Sequence, residues 1–215
     1  TTQEPTNKSV IGSLLKRILY NNESVPDEVL ALLFAADRAH HTINTIIPGL
    51  EEGSIVISDR YVYSSLAYQS RGMKKRLDIN WIRVLNQAAI EPDLVIFLDV
   101  PPEDAMSRLQ NGQKRVQDLS FFENLEVQTN IRDAYYDIFN FHRVEPEAQN
   151  MKIMRIDGKL PVKQIKKLIG KRVSMLLKKK TIERKNDISR NNGNLNEFFS
   201  VSKESEISGN KRRTN

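Results

Sequence analysis

No cysteine occurs in the 215 residues. Disulfides and thiolate metal sites are thereby excluded, and a reducing interior is permitted without being required. No apolar run approaches the roughly 20 residues that a membrane-spanning helix needs. No stretch reads as a signal peptide. The sequence therefore predicts no membrane partner and a cytoplasmic location. Methionine is missing from the start, which is Thr1. That start reads as a processed end or as a fragment. Three histidines are present, and His40, His41 and His142 have no metal-ligand spacing. They are expected on the surface or in the core.

What is present is an excess of positive charge, +6 in total. From Lys178 onward ten Lys and Arg face five Asp and Glu, whereas the rest of the chain holds 23 against 22. The basicity belongs to the tail. A nucleic-acid reading is thus confined to residues 178–215, which are too poor in apolar residues to fold alone and are expected to be disordered. Residues 1–177 are expected to form one domain with its own core.

The organising stretch is Ser54 to Gln69, SIVISDRYVYSSLAYQ. Ile55, Val56 and Ile57 are too short a run for a helix and predict a buried strand of a parallel sheet. Asp59, Arg60 and Tyr61 follow where the strand ends. In open α/β sheets ligands bind at the carboxyl ends of strands. An acid for a metal or proton and a forked cation for an anion suit that position. The alternative is that Asp59 caps the next helix and pairs with Arg60.

Around this stretch, strands alternate with helices. Thr1 to Pro5 reads as a strand exit. Asn7 or Ser9 caps a helix carrying Leu14, Leu15, Ile18 and Leu19 on one face. Ser24 caps the next, with Pro26, Asp27 and Glu28 in its first turn. Pro48 bends or breaks that helix, and Gly53 closes the connection. Gly72 stops the helix after the DRY triplet, leaving Arg71 to Arg76 as a basic loop. A helix through Trp81, Ile82, Leu85, Ala88 and Ala89 ends at Pro92. Leu94 to Leu98 is a strand ending at Asp99, and Pro101-Pro102 open a helix that ends near Gly112. A long helix over roughly Phe121 to Phe141, a strand from Met151 to Ile156 and an amphipathic helix from Val162 to Leu176 complete the domain. The alternation predicts an α/β three-layer fold with a parallel sheet.

Phe34 and Arg38 lie four residues apart, one turn apart on a helix face. An aromatic plane beside a guanidinium can hold a flat heterocycle. The alternative places Phe34 in the core and Arg38 on the surface. Ser64, Ser65, Tyr68 and Gln69 aim hydroxyls and an amide at the same region, or cap a helix. Gln113, Lys114 and Arg115 form a basic loop that could close over a transferring phosphoryl group, or lie solvated.

Taken in order, TTQEPT, IGSLLKRIL, LLFAADRAHH, IVISDRYVYSSLAYQ, PDLVIFLDVPPEDAMSRL and IRDAYY resemble thymidylate kinase, in its archaeal form, over about residues 1 to 170. The combination of FAADR with DRY-xx-S-x-AYQ is specific. The resemblance implies a P-loop kinase fold and transfer of the ATP γ-phosphate to dTMP, giving dTDP for dTTP synthesis, with Mg²⁺. It implies that Phe34 stacks on thymine and Arg38 donates to its exocyclic oxygen. Arg60 holds the dTMP phosphate, and Asp59 organises the magnesium shell. Ser65 lies near the base edge, Tyr68 crowds the place of a ribose 2′-hydroxyl and Gln69 neighbours the sugar. Lys114 and Arg115 belong to a lid over ATP, and Tyr135 matches a family tyrosine after it. A homodimer is common in the family.

The chain also departs from that pattern. No G-x-x-x-x-G-K-[ST] occurs, so the backbone cradle for the ATP phosphates is missing from these residues. Gln3 stands where a cation is usual, and Lys16, at a substrate-binding position, where Arg is usual. The expectation is an amino-truncated kinase that lacks its first strand, phosphate loop and first helix. These 215 residues are expected to bind dTMP weakly and not to turn over ATP. Two rivals stand beside it. One is a related nucleotide kinase with another base. The other is a non-catalytic nucleotide-binding protein whose tail engages DNA or a sliding clamp. For the clamp, Asn192 followed by Leu195, Phe198 and Phe199 resembles a clamp-docking peptide.

Overall fold

The computed structural model describes residues 1–21, 23–111, 124–140 and 152–182. The chain divides into two compact units, Thr1–Lys159 and Leu160–Asn215. The tail from 183, with Leu195, Phe198 and Phe199, lies outside the described residues, as do Lys114 and Arg115.

In the first unit, strand β1 (Thr2–Gln3) leads to helix α1 (Val10–Tyr20). Ser9 caps α1 by accepting from the Gly12 N–H at 2.7 Å. Helix α2 (Asp27–His41) has Asp27 and Glu28 in its first turn and Arg38, His40 and His41 in its last, both matched to the helix dipole. Ser24 does not cap it. Pro26 occupies the cap position without a side-chain hydrogen bond, so the fixed proline dihedral starts the helix instead. A π-helical turn, Thr42–Ile46, runs into α3 (Ile47–Glu51), which has proline at its start. Gly53 then reverses the chain with φ +80°, a conformation open to glycine.

Strand β2 (Ser58–Asp59) pairs in parallel with β1, Thr2 opposite Ser58 and Gln3 opposite Asp59. The Thr2 N–H also reaches the Ile57 carbonyl at 2.8 Å. The strand was expected over Ile55 to Ile57 and fully buried. The ladder instead centres two residues later, and Ile55 and Ile57 are 58% and 59% exposed. Parallel strands are buried when both faces are covered, and among the described residues nothing covers these two.

Helix α4 (Val62–Ala67) passes into a second π-helical turn, Tyr68–Gly72. Helix α5 (Ile79–Leu85) is capped by Asp78, which accepts from Asn80 and Trp81. It stops seven residues short of Pro92, because Asn86 and its neighbours close in turns. Strand β3 (Val95–Asp99), helix α6 (Pro102–Asn111), helix α7 (Leu125–Ile138) and strand β4 (Ile153–Asp157) follow. The two strands pair in parallel from Val95–Ile153 to Asp99–Asp157. Among the described residues the α/β fold thus shows two parallel two-stranded sheets, β1-β2 and β3-β4, rather than one continuous sheet.

Three apolar clusters fill this unit. Leu15, Ile18, Leu30 and Met73 join α1 to α2. Ala31, Leu66, Leu77 and Ile82 join α2, α4 and α5. Ala67, Ile131 and Ala134 join α4 to α7. In the second unit, residues 162–182 form helix α8. No helix among the described residues is long and apolar enough to cross a membrane.

Candidate functional site

A buried polar cluster gathers at the last turn of α2. Arg38 is 2% exposed. Its Nε donates to Glu4 Oε2 at 2.9 Å, and its Nη2 pairs with the same oxygen at 2.7 Å. Its Nη1 donates to Ser65 Oγ at 3.0 Å and to Asn86 Oδ1. One turn on, His41 Nδ1 donates to Glu4 Oε1 at 3.0 Å, and Thr2 Oγ1 lies 2.7 Å from the other ring nitrogen. Nδ1 faces a carboxylate that can only accept, and the other ring nitrogen lies against the Thr2 hydroxyl. The next residue back, Asp37, accepts from Thr6 N, Thr6 Oγ1 and Ser9 Oγ at 2.6–2.8 Å. Adjacent residues of α2 therefore clamp the segment from Glu4 to Ser9.

The DRY triplet splits between two clusters. Tyr61 faces Arg38, with the guanidinium carbon 5.6 Å from the ring centre. Arg60 turns the other way and lies over Tyr68 at 4.9 Å. Arg60 has φ 63°, a strained left-handed conformation for a residue with a side chain. Ser58 Oγ donates to the Arg60 carbonyl at 2.8 Å and supports the turn. Loss of hydration pulls the Arg60 guanidinium toward neutrality. The phenol of Tyr68, by charge and by hydrogen bond, with the phenol of Tyr135 and the carboxylate of Asp59, outweighs it and pushes the pKa up. Arg60 is a permanent cation at the mouth of a cavity of about 370 Å³, lined by Arg60, Tyr68, Val100, Ala105, Arg108 and Gln128. Two of these six are arginines and none is an acid, so the cavity suits an anion.

Helix α4 links the clusters through consecutive serines. Ser65 accepts from Arg38, while Ser64 Oγ lies 3.0 Å from Tyr135 Oη on α7. Burial pushes the Tyr135 phenol up to about 12, against the lowering effect of the Ser64 hydrogen bond.

The sequence-derived candidates are thus distributed. Arg38 and Ser65 meet directly, and Arg60, Tyr68 and Tyr135 form a second group. Phe34 packs against Leu15, Ile18, Leu30 and Met73, and neither Phe34 nor Arg38 lines the Arg60 cavity. Gln69 is buried, and among the described residues its side-chain oxygen has no hydrogen-bond partner. Lys16 Nζ donates to Asn7 on the same side of α1's start. Asp59 is exposed at the end of β2.

Several residues escape sequence reasoning. Glu4 and Asn86 hold Arg38; Glu4 stands in the TTQEPT stretch with no role read for it, and Asn86 stands outside every motif quoted above. Asp99, at the carboxyl end of β3, is 6% exposed and collects Arg132, Tyr136 and Arg155 at 2.6–3.3 Å. Burial alone would raise its carboxyl. The hydrogen bonds from Arg132, Tyr136 and Arg155 win and hold it below the ordinary value. Tyr136 lies between two guanidiniums, at 4.8 Å from Arg132 and 4.7 Å from Arg155.

Residues 1–169 match the family model described as thymidylate kinase. The chain is 40% identical over 143 residues to the "Probable thymidylate kinase" of Thermococcus kodakarensis, across 62% of this chain and 66% of that one. It is 45% identical over 141 residues to the protein of the same name from Pyrococcus horikoshii, across 62% and 64%. With that of Methanococcus maripaludis it shares 41% over 140 residues, across 65% and 64%. The match spans just under two thirds of the length of these curated relatives. With a family model covering most of its length and relatives at this level of identity, the chain belongs to the thymidylate kinase family, whose fold is that of the P-loop kinases.

Proposed function

We propose that the chain serves transfer of the ATP γ-phosphate to dTMP, giving dTDP for dTTP synthesis in the cytoplasm, with ATP as co-substrate and Mg²⁺ as cofactor. The observation that carries this reading is Arg60, held left-handed over Tyr68 at a cavity with no acid among its described lining residues, in a chain of this family. In this reading Arg60 binds the dTMP phosphate. Tyr68 packs where a ribose 2′-hydroxyl would stand, and Gln69 neighbours the sugar. Arg38, with Ser65 beside it, donates to the exocyclic oxygen of thymine, and Phe34 stacks on the ring. Tyr135, through Ser64, supports the wall that Tyr68 forms. Lys16 stands near the substrate as a point charge, and Lys114 and Arg115 close over ATP.

Magnesium is commonly held by one or two carboxylates together with substrate phosphates and waters. Asp59 fits that need as a single exposed carboxylate beside Arg60. The ion would offset charge on the transferring phosphoryl group. A homodimer belongs to the same proposal.

The test is dTDP formation from dTMP and ATP, measured on the 215 residues and on a chain extended ahead of Thr1 by a glycine-rich phosphate loop. The expected result is that the chain supplied with the loop phosphorylates dTMP in preference to dCMP and UMP. An extended chain that phosphorylates dCMP in preference, or dTMP not at all, would contradict the reading.

A further inference from the structure

The Arg38 cluster contains more machinery than a surface cation needs. A guanidinium has five N–H donors in a fixed plane. Here Nε donates to Glu4, the two Nη1–H go to Ser65 and Asn86, and Nη2 stands 2.7 Å from Glu4 Oε2 as the other arm of the ion pair. Among the described hydrogen bonds none uses Nη2. The plane of the guanidinium is therefore set by three residues from three places in the chain, and the donors left over are those of Nη2.

Asn86 is itself locked. It is 5% exposed, and its Nδ2 donates to the Ile82 carbonyl at 2.7 Å. That bond leaves Oδ1 to face Arg38. The turn that ends α5 at Leu85 is what puts Asn86 there, since its backbone N–H closes onto Ile82 and Arg83. On the opposite side, Glu4 is held by His41 through its second oxygen and by its own N–H, which donates to the Asp59 carbonyl at 3.1 Å. Buried ion pairs add little net stability over apolar packing, so positioning gives this one a use.

We propose that Asn86 and Glu4 are positioning residues for base recognition, fixing the Arg38 guanidinium so that an Nη2–H meets a pyrimidine carbonyl oxygen and disfavours an amino group. The inference rests on the dTMP reading above. A thymine presents a carbonyl where a cytosine presents an amino group. A rigid donor discriminates between them, whereas a guanidinium free to turn finds other acceptors.

The test titrates the 215-residue chain with dTMP and with dCMP, in wild type, Asn86→Leu, Asn86→Ala and Asn86→Asp. The thermal midpoint is recorded for each. The ratio of the two affinities is the readout, because partial unfolding weakens both ligands alike. Wild type is expected to favour dTMP. Asn86→Leu and Asn86→Ala remove the acceptor and are expected to narrow the ratio about tenfold. Asn86→Asp keeps an oxygen on Nη1 and is expected to hold the ratio within about threefold. An unchanged ratio in both truncations would overturn the inference and leave the dTMP reading standing. Equal loss in Asn86→Asp and in the truncations would overturn it too. A wild-type chain that does not favour dTMP sinks the parent reading, and this inference with it.

Discussion

Glu4 Oε2 accepts a hydrogen bond from Arg38 Nε at 2.9 Å and stands 2.7 Å from its Nη2, with both side chains about 3% exposed. The pair ties the exit of β1 to the last turn of α2, and its net charge is zero only while both partners are present. Removing one partner strands the other in a poorly hydrated place. Glu4→Gln is expected to cost about 3–5 kcal/mol of folding free energy. Denaturant unfolding checks this. The double change Glu4→Gln, Arg38→Gln should lose less than the sum of the two single changes.

Arg60 tests backbone strain separately from binding. Its φ of 63° costs an ordinary residue about 1 kcal/mol or more, and costs glycine little. Arg60→Gly should therefore be more stable than Arg60→Ala by about 1 kcal/mol. Both lose the guanidinium, so both should lose affinity for a nucleotide phosphate to the same extent. Comparative unfolding of the two variants separates the terms.

Gly12 sits in the first turn of α1, where a Cβ would lie 2.3 Å from the Thr6 carbonyl and 2.9 Å from Asp37 Oδ1. Alanine normally favours a helix over glycine by about 1 kcal/mol. Here the clash is with backbone, and the Thr6–Ser9–Asp37 network must open to relieve it. Gly12→Ala is expected to destabilise by about 2–3 kcal/mol despite its helix propensity.

At high pH the raised phenols of Tyr63, Tyr135 and Tyr136 weaken the fold. Burial lifts Tyr63 and Tyr135 to about 12. An unfolded tyrosine titrates near 10. Between those values the unfolded chain has lost protons that the folded chain keeps, so stability falls as pH rises from about 10 to about 12. Tyr135→Phe should flatten that fall in an alkaline unfolding series. Asp99 acts at the other end. Its carboxyl is held low by Arg132, Tyr136 and Arg155, so its stabilisation is present above about pH 4 and fades as pH drops through the folded value. Asp99→Asn should abolish that acid dependence.

Much of this was legible in the sequence because the signals were local. Ser9 before an apolar period, acids opening α2, Gly53 at the reversal and the strand from Leu94 to Asp99 follow from turn chemistry and periodicity. Arg38 and Ser65 could be singled out from their spacing and from the family resemblance, and a hydrogen bond joins them. The register of β2 was not legible. Ile55 and Ile57 have the composition of a buried strand, and composition cannot say whether another element covers them. Glu4 and Asn86 were invisible for a different reason. Each matters through a partner more than 30 positions away, and a lone acid or amide in a loop carries no period that points to it. The Asp99 cluster likewise draws on α7 and β4, which only folding brings to the end of β3.

The central claim is that Arg60 holds the phosphate of a thymidine monophosphate. The most direct measurement is the affinity of the chain for dTMP against thymidine, before and after Arg60→Ala. The account predicts that dTMP binds more tightly than thymidine by about tenfold or more in wild type, and that Arg60→Ala brings the two affinities together by weakening dTMP alone. Equal affinities in wild type, or a difference that survives Arg60→Ala, would contradict it.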